Sequence, residues 1–373
     1  MKILLLGGTG AMGYHLTSIV AGAGHELYIT SRSNRESCQN VHFIQGNAHD
    51  SHFLNYVLGY TSWDCIVDFM HYKTEEFRGR ITKVLKSTQQ YIFLSSSRVY
   101  ADSKTPIVET SPRLLDVSTD ERFLSTDEYA LAKAREENIL FEHKYKNWTI
   151  VRPYITYSEQ RLQLGVLEKE SWLWAALNLG VVIFSKDIAC HVTTLTYGYD
   201  VARGIAALIG ESEAIGEVFH ITCNRQIKWE EVFEIYNRTL SSEGFNAMPV
   251  YKDRTSRLQS PGKYQVVYDR YYDRVFDNSK INRFIDTGSF KTPEEGLAEC
   301  LRRFLKSPEF KRFDIESLLM LTKDSGVRIK LSQIRRKKDK IKFILIKTHL
   351  IKIVRYGKLL FSGKTDSNSY RSA

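Results

Sequence analysis

Tyr129 and Lys133, four residues apart in "EYALAK", form a pair that could move protons. On a helix this spacing puts both side chains on one face. A lone tyrosine, with a pKa of about 10, is a poor base at neutral pH. A lysine ammonium within a few ångströms stabilises the phenolate and lowers that value. Upstream, "SSSRVYA" supplies hydroxyls at the end of a strand-like run, a third element for the pair to work with.

A second pattern could hold a charged ligand. In "KILLLGGTGAMGYHL", Gly7, Gly10 and Gly13 stand three apart between an aliphatic run and a helix-like stretch. In such a loop the first glycine permits a tight turn and the second lets backbone approach a pyrophosphate. The third lets the helix pack closely on the strand, and the helix N-terminus attracts the phosphates. No Gly-Lys-Ser/Thr follows, so the loop is not a P-loop. A dinucleotide is the expected ligand. NAD binders usually place an acid at the end of the second strand, to hold the ribose hydroxyls. Here that place reads Ser31-Arg32-Ser33-Asn34-Arg35. Arg32, helped by Ser31 or Arg35, could grip a 2′-phosphate, which favours NADP(H) over NAD(H).

The elements that must position these groups alternate. Strand patterns occur at 2–6, 25–30, 41–44, 64–70, 90–96 and 148–153, with helix patterns at 11–21, 74–87 and 127–145. Short apolar runs separated by helices imply right-handed βαβ units in a parallel sheet. The second half is less regular, with helix patterns near 166–179, 200–210 and 229–242 and strand candidates at 181–184 and 217–222. The expected fold is α/β: a Rossmann-type doubly wound parallel sheet, a smaller α+β substrate domain and a basic C-terminal extension. The dinucleotide domain is placed at 1–160, with elements returning from about 187–225. The substrate domain is placed mostly at 161–310, and the extension at 311–373.

At 373 residues the chain has room for about two domains. The five cysteines, Cys38, Cys65, Cys190, Cys223 and Cys300, are scattered and form no C-x-x-C pair, so neither a disulfide framework nor a metal site is expected. No charged leader with an apolar core precedes the first strand, and no run of about 18 apolar residues occurs. A cytoplasmic protein is expected. The net charge of +10 is local: residues 328–364 hold thirteen Lys or Arg and one acid, whereas residues 1–327 hold 39 bases and 41 acids.

Taken with their order along the chain, these motifs resemble the extended short-chain dehydrogenase/reductase family, the NAD-dependent epimerase/dehydratase group that acts largely on nucleotide sugars. The resemblance spans about residues 1–305. It is carried by "GGTGAMG", "FLSSSRVYA", "YALAK", "RPYITY" (152–157), "YGYDVARGIAALI" (197–209) and "FDNSKINRF" (276–284). It implies Tyr129 as acid/base, Lys133 as its electrostatic partner and Ser96 as hydrogen-bond donor to the reacting oxygen, with Ser95 and Ser97 as substitutes for Ser96. It further implies a cofactor site of Gly7, Thr9, Gly10, Met12, Gly13, Ser31, Arg32, Asn47, Ala48, Phe69, Met70, Pro153 and Ile155, shared with Tyr129 and Lys133. Substrate contacts are expected from His71, Ser97, Tyr154, Arg161 and His191. The implied reaction is hydride exchange between a sugar carbon bearing a hydroxyl and the nicotinamide, as reductase or epimerase.

Three departures from the family pattern bear on this. The Ala-Ala loop after the fourth strand is replaced by Phe69-Met70-His71-Tyr72. Ser97 and Arg98 stand where sugar 4,6-dehydratases carry an Asp-Glu pair, which disfavours dehydration. Thr193 stands roughly where many members grip the diphosphate with an arginine, leaving His191, Arg161 or Arg254 to compensate. Atypical members of the fold, the chloroplast stem-loop RNA-binding proteins among them, bind RNA, so a non-catalytic RNA-binding or regulatory protein is the alternative. Family members often dimerise through helices that here would include the one bearing Tyr129.

The tail, residues 328–361, mixes cations with aliphatics. On a helical net Lys340, Lys347, Arg355 and Lys358 share a sector, while Ile346, Leu350, Ile353 and Phe361 lie elsewhere and Ile344 and Ile351 fall among the charges. An amphipathic helix on the anionic inner face of a membrane fits this mixture better than a nucleic-acid binder does. A partly disordered tail, or a helix covering an apolar patch in an oligomer, is the plainer reading and is favoured over both.

Overall fold

A computed structural model describes residues 1–254, 263–310, 312–322, 326–348 and 350. The chain forms two compact units. The first comprises Met1–Arg161, Val192–Ile227 and Tyr272–Cys300, and the second Leu162–His191, Lys228–Tyr271 and Leu301–Ala373.

In the first unit β1 (Lys2–Leu6), β2 (Glu26–Ser31), β3 (Val41–Gln45), β4 (Trp63–Asp68), β5 (Thr88–Leu94) and β6 (Trp148–Pro153) are joined by the strand Glu217–Ile221. They make one seven-stranded sheet, in the order Glu217–Ile221, β6, β5, β4, β1, β2, β3. Every pairing in it is parallel, for example Leu4 against Tyr28 and Leu4 against Ile66. The aliphatic run of β1 is explained by burial on both faces. Ile3 and Leu5 point to a core with Leu16, Val20, Val201 and Ile205, whereas Leu4 and Leu6 point to one with Val57, Phe77, Ile81 and Leu140. Strand order reverses between β1 and β4, the switch point at which ligands of open α/β sheets sit.

Helices α1 (Gly13–Gly22), α2 (Ser51–Leu58) and α3 (Thr74–Lys86) cover the sheet with the helices Tyr129–Glu142 and Gly198–Leu208. The helix expected at 11–21 starts only at Gly13, because Ala11 and Met12 belong to the glycine loop. The α2 helix had no counterpart in the sequence reading. Its start is fixed by Asp50, whose carboxylate accepts the Phe53 N–H at 2.8 Å. The segment Tyr272–Cys300, assigned from sequence to the second domain, belongs to the first unit. Its Ile281 and Phe290 are buried against Phe219 and Ile221.

In the second unit Val181–Ser185 pairs in parallel with Met248–Lys252, and Gln163–Leu164 pairs antiparallel with Leu167–Glu168. The helix expected near 166–179 therefore begins at Trp172, after a hairpin turned by Gly165 at φ 59°. The helices Trp229–Ser242, Ile315–Thr322 and Lys337–Lys347 complete this unit. Among the described residues no helix is long and apolar enough to cross a membrane, and no group of three or more His, Cys, Asp or Glu could hold a metal ion.

Candidate functional site

The glycine loop leaves β1 at the switch point. Gly7 adopts φ 71°, and a Cβ there would sit 2.6 Å from Met70 Sδ. A Cβ on Gly13 would lie 2.3 Å from the Gly8 carbonyl oxygen, so the third glycine brings the helix onto the loop itself. Close packing on the strands also occurs at Gly8, where a Cβ would meet Leu5 at 2.7 Å. Beside Gly10 there is nothing within 4 Å. The first turn of α1 has neither a side-chain cap nor an acid, so its N–H groups and dipole suit an anion.

Next to this loop, at the C-terminal ends of β1 to β4, lies a cavity of about 260 Å³. Eight residues assigned to the cofactor from sequence line it: Gly7, Thr9, Ser31, Arg32, Asn47, Ala48, Phe69 and Met70. Thr30, Gly46, His49 and His71 complete the lining, and none of the twelve residues is acidic. Arg32 is exposed and, among the described residues, enters no ion pair. Ser31 is buried and donates its hydroxyl to the Ser33 carbonyl at 2.9 Å, shaping the turn that presents Arg32. Arg35 lies elsewhere, over the ring of Phe43 at 5.8 Å.

The remaining cofactor assignments, Gly10, Met12, Gly13, Tyr129, Lys133, Pro153 and Ile155, do not line the cavity. Met12 Sδ is 3.8 Å from the Thr156 hydroxyl. Pro153 ends β6, and Ile155 is buried at the start of the short strand that follows.

The cavity ends at His71, whose ring stacks on that of Tyr129 with centroids 5.2 Å apart and planes at 8°. His71 stays open to solvent on one side. Loss of water on the other side, and then the charge of Lys133, hold its imidazolium below the usual range. Arg98 lies over the Tyr129 ring at 5.4 Å. It is anchored to Glu128 at 2.7 Å, and Glu128 caps the tyrosine helix by accepting the Ala130 N–H at 2.7 Å. At the same end, Asp127 accepts the Thr74 hydroxyl at 2.7 Å and joins α3 to the site.

Lys133 is buried on the same helix. Its ammonium lies 3.0 Å from Glu136 Oε2, donates to the Met70 carbonyl at 3.5 Å and sits 4.4 Å from the centre of the Phe93 ring. Burial pushes the Glu136 carboxyl up to about 7, against the pull of Lys133. Asp68, at the end of β4, accepts hydroxyls from Tyr72 at 2.9 Å and Tyr91 at 2.8 Å. Burial raises its pKa, while these bonds and Lys133 oppose the rise.

The three serines have separate duties. Ser95 donates to Glu137 at 2.6 Å. Ser97, expected to touch substrate or to replace Ser96, is wholly buried and donates to the Arg152 carbonyl at 2.8 Å. Its hydroxyl is thus spent on the fold. Ser96 accepts the Arg98 N–H at 3.2 Å, and among the described residues its own proton goes to no protein acceptor. Glu137, fully buried, receives two bonds of 2.7 Å from Arg152 and one of 3.1 Å from Arg113. This network fixes the serine strand and β6 to the tyrosine helix. Asp68, Glu136 and Glu137 were not marked by any of the sequence motifs, and Arg98 was marked only for standing in place of an acid. The one local signal was the run of acids three and four residues after Lys133.

Of the other substrate assignments, Tyr154 is buried against Phe276, with ring centroids 5.4 Å apart. Arg161 is exposed in the first unit, whereas His191 and Arg254 belong to the second. Thr193 is buried.

A doubly wound parallel sheet with a glycine-rich switch point, a tyrosine–lysine helix and a serine at the end of β5 defines a class of dinucleotide-dependent proteins. The chain belongs to the NAD dependent epimerase/dehydratase family, whose profile matches residues 3–222. Among curated proteins it is similar to the chloroplast stem-loop binding protein of 41 kDa b of Arabidopsis thaliana. The two are 24% identical over 244 residues, a match that covers 61% of this chain and 60% of that protein's length. Among solved structures it is similar to dTDP-glucose 4,6-dehydratase of Bacillus anthracis in complex with NAD (TM-score 0.63, 18% identity, 83% of this chain and 98% of the other). It is likewise similar to UDP-glucose 4-epimerase of Bifidobacterium longum in complex with NAD+ and UDP (TM-score 0.61, 19% identity, 83% and 99%).

Proposed function

We propose that this protein is a reductase or epimerase that acts on a nucleotide sugar, or a related sugar, with a nicotinamide dinucleotide. The observation that carries this reading is the single cavity wall running from Gly7 and Arg32 to His71, whose ring stacks on Tyr129. The residues fit a dinucleotide. The glycine loop and the start of α1 would hold its pyrophosphate, with Thr9 and Met12 alongside. Arg32 would hold a 2′-phosphate, in a cavity wall without the acid that NAD binders use, so NADP(H) is favoured. Asn47 and Ala48 would border the adenine, and Phe69, Met70, Pro153 and Ile155 the nicotinamide. The bound nicotinamide supplies the hydride acceptor or donor.

The chain's own residues do the rest. The Tyr129 hydroxyl takes or returns the proton of the sugar oxygen, and the Ser96 hydroxyl donates a hydrogen bond to that oxygen. Lys133, held at Met70 and Glu136, supplies positive charge behind the phenol. Arg98, tied to Glu128, is no proton donor, which supports the reading against dehydration.

The test is incubation with NADPH or NADH and a panel of UDP- and dTDP-sugars, followed by mass spectrometry and NMR of the sugar. Reduction adds two hydrogens, and epimerisation keeps the mass but changes the sugar's coupling constants. Loss of water, or no turnover of any sugar, contradicts the reading.

A second reading, RNA binding, is favoured by the similarity to a chloroplast protein whose name specifies a stem-loop. It predicts that Tyr129→Phe leaves biological activity intact while removal of residues 328–373 abolishes it. A homodimer built on the tyrosine helix would find little surface there, because among its residues only Glu142 is exposed.

A further inference from the structure

The proposed reaction makes no use of the basic C-terminal segment. Its described part, within residues 326–350, carries nine cations and one acid, Asp339. Of the residues singled out in the tail, Ile351, Ile353, Arg355, Lys358 and Phe361 lie outside the described residues. The helix Lys337–Lys347 turns Phe343 inward, where it is 3% exposed, on the side that packs against the helix Ile315–Thr322. Its outer side carries Ile341, 59% exposed, and Ile344, 44% exposed. They stand three residues apart and thus adjoin on one face. Lys337, Lys338, Lys342 and Lys347 are exposed around them. Lys342 reaches Glu316 at 3.7 Å. Ile346, which the helical net set apart from the charges, is half-buried, so the outward apolar centre is not the one expected from sequence.

Two isoleucines in water, ringed by lysines, form a small apolar centre with a cationic rim. A nucleic-acid backbone would be matched by the cations alone and gives the isoleucines no reason to face outward. An uncharged protein partner would leave the lysines unused. An anionic bilayer surface uses both, since headgroup phosphates meet the rim and the acyl boundary takes the apolar centre. We propose that the outer face of Lys337–Lys347 docks the protein on a membrane surface rich in anionic phospholipid. In the sequence, residues 351–364 add Lys352, Arg355, Lys358 and Lys364 with no acid. This inference is independent of the reaction at the cavity.

The test is sedimentation of the full chain with vesicles of phosphatidylcholine alone, or of phosphatidylcholine and phosphatidylglycerol in equal parts. Binding to the anionic vesicles alone is expected, weakening steeply with salt. Ile341→Ser combined with Ile344→Ser is expected to lower the partition about ten-fold or more. Lys337→Glu with Lys338→Glu is expected to abolish it. Circular dichroism of each variant confirms that the fold is kept. Equal binding to both vesicle types, an unchanged partition for the isoleucine variant, or capture of stem-loop RNA without vesicle binding would each overturn the proposal.

Discussion

Replacing Glu136 with Gln removes a carboxyl that is fully buried beside Lys133 at 3.0 Å. Burial raises its pKa from 4.5 to about 7, the nearby Asp68 adds to the rise, and Lys133 opposes it. The folded protein therefore keeps a proton that the unfolded chain has already released. Its stability contribution is complete below about pH 4.5 and is lost as the pH rises to about 7. That rise in pKa corresponds to roughly 3 kcal/mol. Asp68 and His71 are common to both proteins, so their titration largely cancels in the difference. Urea unfolding of wild type and Glu136→Gln from pH 4.5 to 8 is expected to show the wild type losing roughly 3 kcal/mol relative to the variant over this window. Stability curves that stay parallel across the window would refute the reasoning.

Four further variants test the same geometry. Tyr129→Phe should keep dinucleotide affinity yet lower turnover by about 10²- to 10⁴-fold, measured with whichever sugar proves to be a substrate. Glu137→Gln leaves Arg152 buried without its ion-pair partner and should cost about 3–5 kcal/mol in urea unfolding. Gly13→Ala should destabilise the fold, since its Cβ would lie 2.3 Å from the Gly8 oxygen. Gly10→Ala, with nothing within 4 Å, should unfold like the wild type and weaken only cofactor binding in a fluorescence titration.

The sheet was readable because its strands are buried on both faces. A continuous aliphatic run such as Ile3–Leu6 marks such a strand without help from distant residues. The first three helices show the limit. Both α1 and α3 were found from periodicity, whereas α2 was missed although Asp50 followed by Phe53, Leu54 and Val57 gives a cap and an apolar face. The loop glycines were legible as a motif, but the close approach of Gly8 to Leu5 and Ile29 was not. Around Tyr129 and Lys133 local spacing named the pair. Apart from Glu136, three residues after Lys133, their partners come from elsewhere in the chain: His71 from the loop after β4, Phe93 from β5 and Arg98 from the turn after it. Nor could local pattern show that Ser97 spends its hydroxyl on Arg152, or that Tyr272–Cys300 returns to the first unit, because both depend on contacts far apart in sequence.

We proposed that the cavity beside the glycine loop would hold a nicotinamide dinucleotide and that Arg32 would favour one bearing a 2′-phosphate. It is tested most directly by fluorescence titration of the wild type and Arg32→Gln with NADPH and NADH. The account predicts saturable binding of both by the wild type, tighter for NADPH, and a preference reduced about ten-fold or more in the variant. A wild-type protein that takes up neither dinucleotide would contradict it.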